Sequence, residues 1–428
     1  MLTLGNLYSE NKNYDKAISV FNSFDNKYGV NETSTLSAIK TLIEAGKYDE
    51  GLVKVQLLLQ QSPDEIVYNG LLAQIYEGKN EKEKALEVYD KLLERNPGNA
   101  QVQLALCDFL LSGKNYEDLF RILNTVVLNN NVTREDKISL FAKMISMPDL
   151  IADQNNNLTI NLMVLEANYD KDDVIPLLRA ELLINQGKLE DAALRLEDII
   201  KINQDNYYAW EKLLLVYLQM RDFKNLMVRG EECSTRFNRS FVAKVLYANG
   251  ALESGKYEIA IEELRKAEIL AGDNKDFMIQ VLTMRADVYY RMKDYSKAFE
   301  TFDEALKSNN EDLTVMNNYA YYLAEQNLKL KEAEEMSKRV IETEKGNTTY
   351  LDTYGWILYK RGKLKDAAKV FESIINSGEE PDAVWYEHYG FILKKQRKCT
   401  EAIDNWNAAL KLDSTKTDLY KEIENCRK

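Results

Sequence analysis

Residues 72–97 read Leu72-Ala73-Gln74-Ile75-Tyr76-Glu77-Gly78-Lys79-Asn80-Glu81-Lys82-Glu83-Lys84-Ala85-Leu86-Glu87-Val88-Tyr89-Asp90-Lys91-Leu92-Leu93-Glu94-Arg95-Asn96-Pro97. Leu72, Ala73 and Tyr76 fall on one face of a helix, and Ala85, Tyr89 and Leu92 on one face of a second helix that Pro97 ends. The small-residue slot at Ala85 recurs at Ala17, Gly51 and Leu119, then after a gap at Ala192, Leu226, Ala260, Ala298, Ala333, Ala367 and Ala402. Successive differences are 34, 34, 34, then 73, then 34, 34, 38, 35, 34 and 35. One helix pair cannot bury its apolar face alone, so a spacing sustained this long predicts a stack of similar pairs leaning on one another. Asn-Tyr, Gly-Lys and Lys-Asp pairs at 13–14, 46–47, 187–188, 255–256 and 293–294 mark the turn inside each pair. No strand reading survives this period.

The residues at the fixed offsets carry a family resemblance. Leu72-Ala73-x2-Tyr76 with Ala85-x3-Tyr89-x2-Leu92 and Pro97 resembles the tetratricopeptide repeat, and so do Trp210-x2-Leu213-Leu214-x2-Tyr217, Ala286-x2-Tyr289 with Ala298-x3-Phe302-x2-Ala305, and Gly355-x2-Leu358 with Ala367-x3-Phe371. The resemblance implies an all-α solenoid, a right-handed superhelix of antiparallel helix pairs closed by a C-terminal capping helix. It also implies a non-catalytic scaffold that binds a protein or peptide. The stretches Met316-Asn-Asn-Tyr-Ala-Tyr-Tyr-Leu-Ala, Tyr350-Leu-Asp-Thr-Tyr-Gly-Trp-Ile-Leu-Tyr and Glu387-His-Tyr-Gly-Phe-Ile-Leu are similar to bacterial repeat proteins that are exported and often lipid-anchored. That similarity implies a periplasmic or outer-membrane-associated location, with the cytoplasm as the alternative.

Counted along the chain, four units occupy 1–131, the first opening mid-pattern on Gly5, Tyr8, Ala17 and Phe21, and seven more occupy 173–416. Further residues are therefore expected before Met1, and whether they carry a signal or lipid anchor is open. Segment 132–172 is read as one degenerate helix pair. Thr133 caps its first helix, Met147-Pro148 stops it, Asn155-Asn156-Asn157 forms a loop, and Leu158 to Ala167 supplies the partner. Residues 417–428 read as a capping helix, its charged residues outnumbering the apolar ones.

Across 428 residues, 45% are hydrophobic and only 5 are Pro, which leaves no Pro-rich or Gly/Ser-rich linker to separate independent domains. A net charge of −13 argues against nucleic acid and anionic membranes as partners. No run reaches the ~18 apolar residues of a membrane span. One histidine, His388, and the absence of Cys-x2-Cys, His-x3-His, a Gly-rich phosphate loop or a Ser/His/Asp order leave nothing for a catalytic, metal or cofactor assignment. His388 is expected to be a packing or surface residue. Cys107 and Cys233 occupy small slots and are expected to be buried. Cys399 and Cys426 come within reach of each other if the cap helix folds back, so a disulfide and two thiols both remain open.

In such stacks the first helix of each pair lines the inner groove. Places just after the Gly/Ala position of each first helix, and one turn further on, carry Asp287 and Tyr290, then Tyr321, Ala324 and Glu325, then Trp356, Tyr359 and Lys360, then Phe391, Lys394 and Lys395. With Tyr289, Tyr319, Leu323, Tyr354, Leu358, Tyr389 and Leu393 assigned to the core, Tyr290, Tyr321, Trp356, Tyr359, Lys360, Phe391 and Lys394 are expected to bind a partner. A polar row at Thr283, Asn317, Asp352 and Glu387 disfavours an acidic C-terminal tail as ligand. Three uses are compatible with the stripe: docking of a partner segment, stacking of a glycan on the rings, and self-association through the solenoid ends.

Overall fold

The computed structural model describes residues 1–29, 31–169 and 172–427. Val30, Asp170 and Lys171 at the close of segment 132–172, and Lys428 in the cap lie outside the described residues. The described residues form 25 helices and no strand, 79% of them being helical. No helix among them is long and apolar enough to cross a membrane.

The chain packs as two units, Met1–Val216 and Tyr217–Lys428. In the first are α1 (Leu2–Glu10), α2 (Tyr14–Tyr28), α3 (Glu32–Glu44), α4 (Tyr48–Gln61), α5 (Ile66–Gly78) and α6 (Lys82–Arg95). They are followed by α7 (Ala100–Ser112), α8 (Tyr116–Leu128), α9 (Arg134–Ile145), α10 (Pro148–Asn168), α11 (Ile175–Asn185) and α12 (Leu189–Ile202). The boundary falls within α13 (Tyr207–Gln219). The second unit continues with α14 (Phe223–Arg236), α15 (Phe241–Glu253), α16 (Tyr257–Ala271), α17 (Lys275–Arg291), α18 (Tyr295–Ser308) and α19 (Leu313–Glu325). It ends with α20 (Leu330–Thr343), α21 (Thr348–Lys360), α22 (Leu364–Ile375), α23 (Ala383–Lys395), α24 (Cys399–Leu412) and α25 (Asp418–Arg427).

The small-slot residues explain why these helices pair. In the first unit Ala17, Ala85, Leu119 and Ala192 are 0% exposed, and in the second so are Leu226, Ala260, Ala298, Ala333, Ala367 and Ala402. At the Ala slots the helices approach closely, Leu119 and Leu226 filling the equivalent place with a longer side chain, and a ring from the partner helix fills the space beside the contact in several pairs. Phe371 of α22 lies where a Cβ on Gly355 would stand, 2.6 Å from it, and Phe21 of α2 does the same at Gly5, at 2.5 Å. Turns inside the pairs place one residue in the left-handed region, a glycine at 46 and 255 and a lysine at 114 and 293.

Segment 134–168 departs from the sequence expectation in one respect. Thr133 caps α9, accepting from the Asp136 amide, but Asn155, Asn156 and Asn157 are not a loop. They continue α10, whose only break is a kink at Gln154 (φ −126°, ψ 26°). Leu150 and Ile151 before the run and Leu158, Leu162 and Leu165 after it are all buried, so packing of one apolar face overrides the weak helix propensity of Asn. The amides are themselves used: Asn157 Nδ2 donates to Gln154 Oε1 at 2.7 Å, and Gln186, just past the end of α11, donates to Asn155 Oδ1.

At the other end, α25 buries Leu419 and Ile423 against Leu393, Trp406 and Ala409. Cys399 and Cys426 are joined as a disulfide with their Cα atoms 5.3 Å apart, tying this helix to the start of α24. Cys107 and Cys233 are both buried.

Two glycines test the packing. A Cβ on Gly250 of α15 would meet backbone atoms of α14, Met227 N at 2.7 Å and Leu226 C at 3.0 Å, which cannot rotate away. On Gly70 of α5 it would meet nothing within 4 Å. Gly250→Ala is expected to destabilise the protein by about 1–3 kcal/mol, and Gly70→Ala to stabilise it by about 0.5–1 kcal/mol, in urea unfolding followed by circular dichroism.

Candidate partner-binding groove

Five successive first helices of the second unit, α15, α17, α19, α21 and α23, bring their inner faces together around an open groove of about 600 Å³. The rotation of several of these helices is set at their first residue. Ser240, Asn274, Asp312, Asn347 and Asp382 each cap a helix by accepting from a backbone amide two or three residues on. With those starts fixed, Asn249, Thr283, Asn317 and Asp352 fall on the groove wall at intervals of 34, 34 and 35 residues.

The charged groups on the wall are acidic. Glu253, Asp276, Asp287, Asp312 and Asp352 contribute five carboxylates, and no Lys, Arg or His lines the groove. Three of the carboxylates are engaged from outside it. Arg291 bonds Glu253 at 2.8 and 3.1 Å and reaches Asp287 at 3.4 Å. His388 Nδ1 lies 2.9 Å from Asp352 Oδ1. Asp276 and Asp312 have no ion pair among the described residues. On two residues that line the groove, the side-chain oxygens Asn249 Oδ1 and Asn317 Oδ1 are buried without a hydrogen-bond partner, Asn317 being 6% exposed. Its Nδ2 donates to Asn318 Oδ1 at 3.3 Å. Among the described residues there is no group of three or more His, Cys, Asp or Glu set to hold a metal ion.

Of the seven residues expected at a partner site, only Tyr321 lines this groove. Burial raises the Tyr321 phenol, and the charges of Glu325 and Asp352 raise it further, so it stays a donor throughout the physiological range. Tyr290 is stacked on Tyr322, ring centroids 4.0 Å apart, and accepts from Gln326 Nε2 at 2.8 Å. The Tyr322 hydroxyl in turn donates to Asp287. Phe391 packs edge-on to Trp406 at 5.4 Å, and Lys394 pairs with Glu422 of α25. Tyr359 stacks on Trp356 at 4.8 Å, while Lys360 pairs with Glu325 at 3.3 Å and stands over the Trp356 ring.

Trp356 needs a correction of the premise that these rings are surplus to packing. It is 8% exposed, stacks on His388 at 4.0 Å and donates its indole N–H to Glu325 Oε1 at 2.7 Å. Tyr354, assigned to the core, is the half-buried one of the two. His388 is buried in this stack, consistent with a packing role. The physical reason is the helical step. Positions 352, 356 and 359 share a face of α21, and His388 of α23 closes over that face.

What sequence reasoning missed is the polar part of the groove wall: Gln280, Asn318, Thr314 and Thr353, with the acids at 276 and 312. The signal was present in the row Thr283, Asn317 and Asp352, which marks the groove itself and not merely the absence of a clamp for an acidic tail.

Comparisons with known proteins bear on the fold. Tetratricopeptide-repeat family profiles match residues 42–106 and, for a second profile of the same repeat, residues 1–23 and 279–312. A solved tetratricopeptide repeat protein from Parabacteroides merdae is 16% identical, with 59% of this chain and 98% of that one covered and a TM-score of 0.50. Yeast Tom70 is 15% identical over 99% of this chain and 94% of its own, with a TM-score of 0.47. Cellulose synthase operon protein C of Pseudomonas fluorescens is 40% identical over 55 residues, which is 13% of this chain and 4% of that protein's length.

Because Trp356 is enclosed by its neighbours, Trp356→Ala is expected to lower stability by about 3–5 kcal/mol. Tyr359→Ala, at a half-buried ring, should cost less than half as much. Equilibrium denaturation of both variants checks this, and the reverse order would mean that the ring stack is not where the structure has it.

Proposed function

The chain is built from tetratricopeptide repeats, and from that premise we propose that it is a non-catalytic scaffold holding an extended segment of a partner protein in the groove of its second unit. The observation that carries this reading is an open groove shared by five consecutive first helices, its wall combining hydrogen-bonding groups with apolar side chains and the Tyr321 ring. Helices packed ~10 Å apart give such a groove a run of roughly 40 Å, which an extended segment of about 12 residues spans at ~3.3 Å per residue. Tyr321 supplies the aromatic anchor. Tyr290, Trp356, Tyr359, Lys360, Phe391 and Lys394 act behind it, as the stacked wall that fixes the spacing of the first helices.

A glycan suits this groove less well. Sugar binding by aromatic residues uses open ring faces, whereas Trp356 is covered by His388 and Tyr359, and Tyr290 by Tyr322. A partner segment needs only one exposed anchor and a row of hydrogen-bonding groups.

We further propose that the scaffold works in a bacterial cell-envelope assembly, in the periplasm or at the outer membrane. Two observations support this. The Cys399–Cys426 disulfide is of a kind kept in oxidising compartments, and the 55-residue likeness is to a protein named for a cellulose synthase operon.

Panning a displayed library of random 12-residue peptides tests the groove. The intact protein is compared with the double variant Gln280→Trp, Thr314→Trp, which fills the groove from two wall positions without changing net charge. Peptides captured by the wild type and lost on the variant are expected, with an unchanged melting temperature. Equal capture by both proteins would overturn the groove reading, and capture of a cello-oligosaccharide in place of peptides would substitute the glycan one.

Compartment is tested by thiol labelling of native, unreduced material. Cys399 and Cys426 should be blocked. Burial pushes the Cys107 thiol up to about 12, so it should react only after unfolding. Ready labelling of both terminal cysteines would remove the oxidising-compartment argument.

A further inference from the structure

We infer that the segment taken by this groove is cationic, with Lys or Arg side chains meeting the carboxylates at its rim and a backbone or side-chain N–H meeting Asn317 Oδ1. This rests on the reading that the groove takes a peptide segment, and adds its chemistry. Two independent observations converge on it. The first is charge: five carboxylates line the groove, no cation does, and Asp276 and Asp312 have no ion pair among the described residues. The second is hydrogen bonding. Both buried atoms left without a partner on the wall, Asn249 Oδ1 and Asn317 Oδ1, are acceptors, and Asn317 is 6% exposed. A buried acceptor without a donor costs free energy that an incoming N–H recovers.

The arrangement discriminates by repulsion as well as attraction. An acidic segment would bring like charge to the rim, the kind of repulsion that specificity exploits against wrong partners. The engaged carboxylates do not cancel this, because Arg291 is shared between Glu253 and Asp287 and leaves that trio with one net negative charge. Positions along the groove also set the ligand's pattern. Asp276 stands on α17 and Asp312 at the start of α19, one repeat apart. At a helix spacing of ~10 Å two basic side chains about three residues apart in an extended segment would reach one acid each.

A chain of net charge −13 attracts basic peptides everywhere on its surface, so the test must subtract the rest of the protein. The groove-dependent peptides are those lost on the Gln280→Trp, Thr314→Trp variant, which keeps the same net charge. Their Lys and Arg content is read by sequencing. One of them is then titrated by fluorescence anisotropy against the wild type and against the Asp276→Asn, Asp312→Asn variant, in which the amide introduced at position 312 can still cap α19. Enrichment in Lys and Arg, a dissociation constant raised about tenfold in the double variant, and weakening as NaCl goes from about 50 to 500 mM are expected. Groove-dependent peptides that are neutral or acidic, or bind that double variant equally well, would overturn the cationic assignment and leave the groove reading standing. An empty groove-dependent set would overturn both.

Discussion

Everything in each unit depends on the distance of closest approach between two helices at the small-residue slot. Ten of these slots are 0% exposed, eight of them Ala, and interiors packed this closely resist added bulk. The short distance is what allows Phe371 to fill the space beside Gly355 and Phe21 the space beside Gly5. Those contacts set the tilt of each pair, and a repeated tilt lets the next pair bury the face the first leaves open. Hence the first helices of the second unit, five pairs in succession, present a continuous inner wall rather than separate surfaces.

That dependence also explains which features were legible in the sequence. The spacing of Ala17, Gly51, Ala85 and their counterparts carries the fold, since a small residue at a helix crossing is a steric requirement that composition alone reveals. The Asn155-Asn156-Asn157 run was misread because local propensity is a weak signal there, and Leu158, Leu162 and Leu165, buried at helical spacing, outweigh it. The pairing of Cys399 with Cys426 could be narrowed to a geometric possibility and no further, because it depends on where α25 returns.

Of the seven residues the sequence offered for partner binding, the groove is lined by Tyr321 alone. Counting from the small slot found the inner face of each first helix, but ring content says nothing about which faces are already covered. Trp356 is enclosed by His388 on the neighbouring first helix, 32 residues on, and no single-helix pattern foretells that. The polar row Asn249, Thr283, Asn317 and Asp352 carried the useful signal. His388 meets Asp352 and the Ile279 carbonyl meets the Thr283 hydroxyl, but the Asn249 and Asn317 side-chain oxygens are buried without a partner, which costs free energy that packing does not return.

The central claim is that the inner wall of α15, α17, α19, α21 and α23 is the surface on which a partner segment lies. Hydrogen–deuterium exchange of the intact protein, with and without a saturating bound segment, addresses it most directly. Added protection is predicted at the segments around residues 249–253, 276–287, 312–322 and 349–353, with second helices α16, α18 and α20 unchanged. Protection confined to those second helices, or to residues of the first unit, would contradict the account.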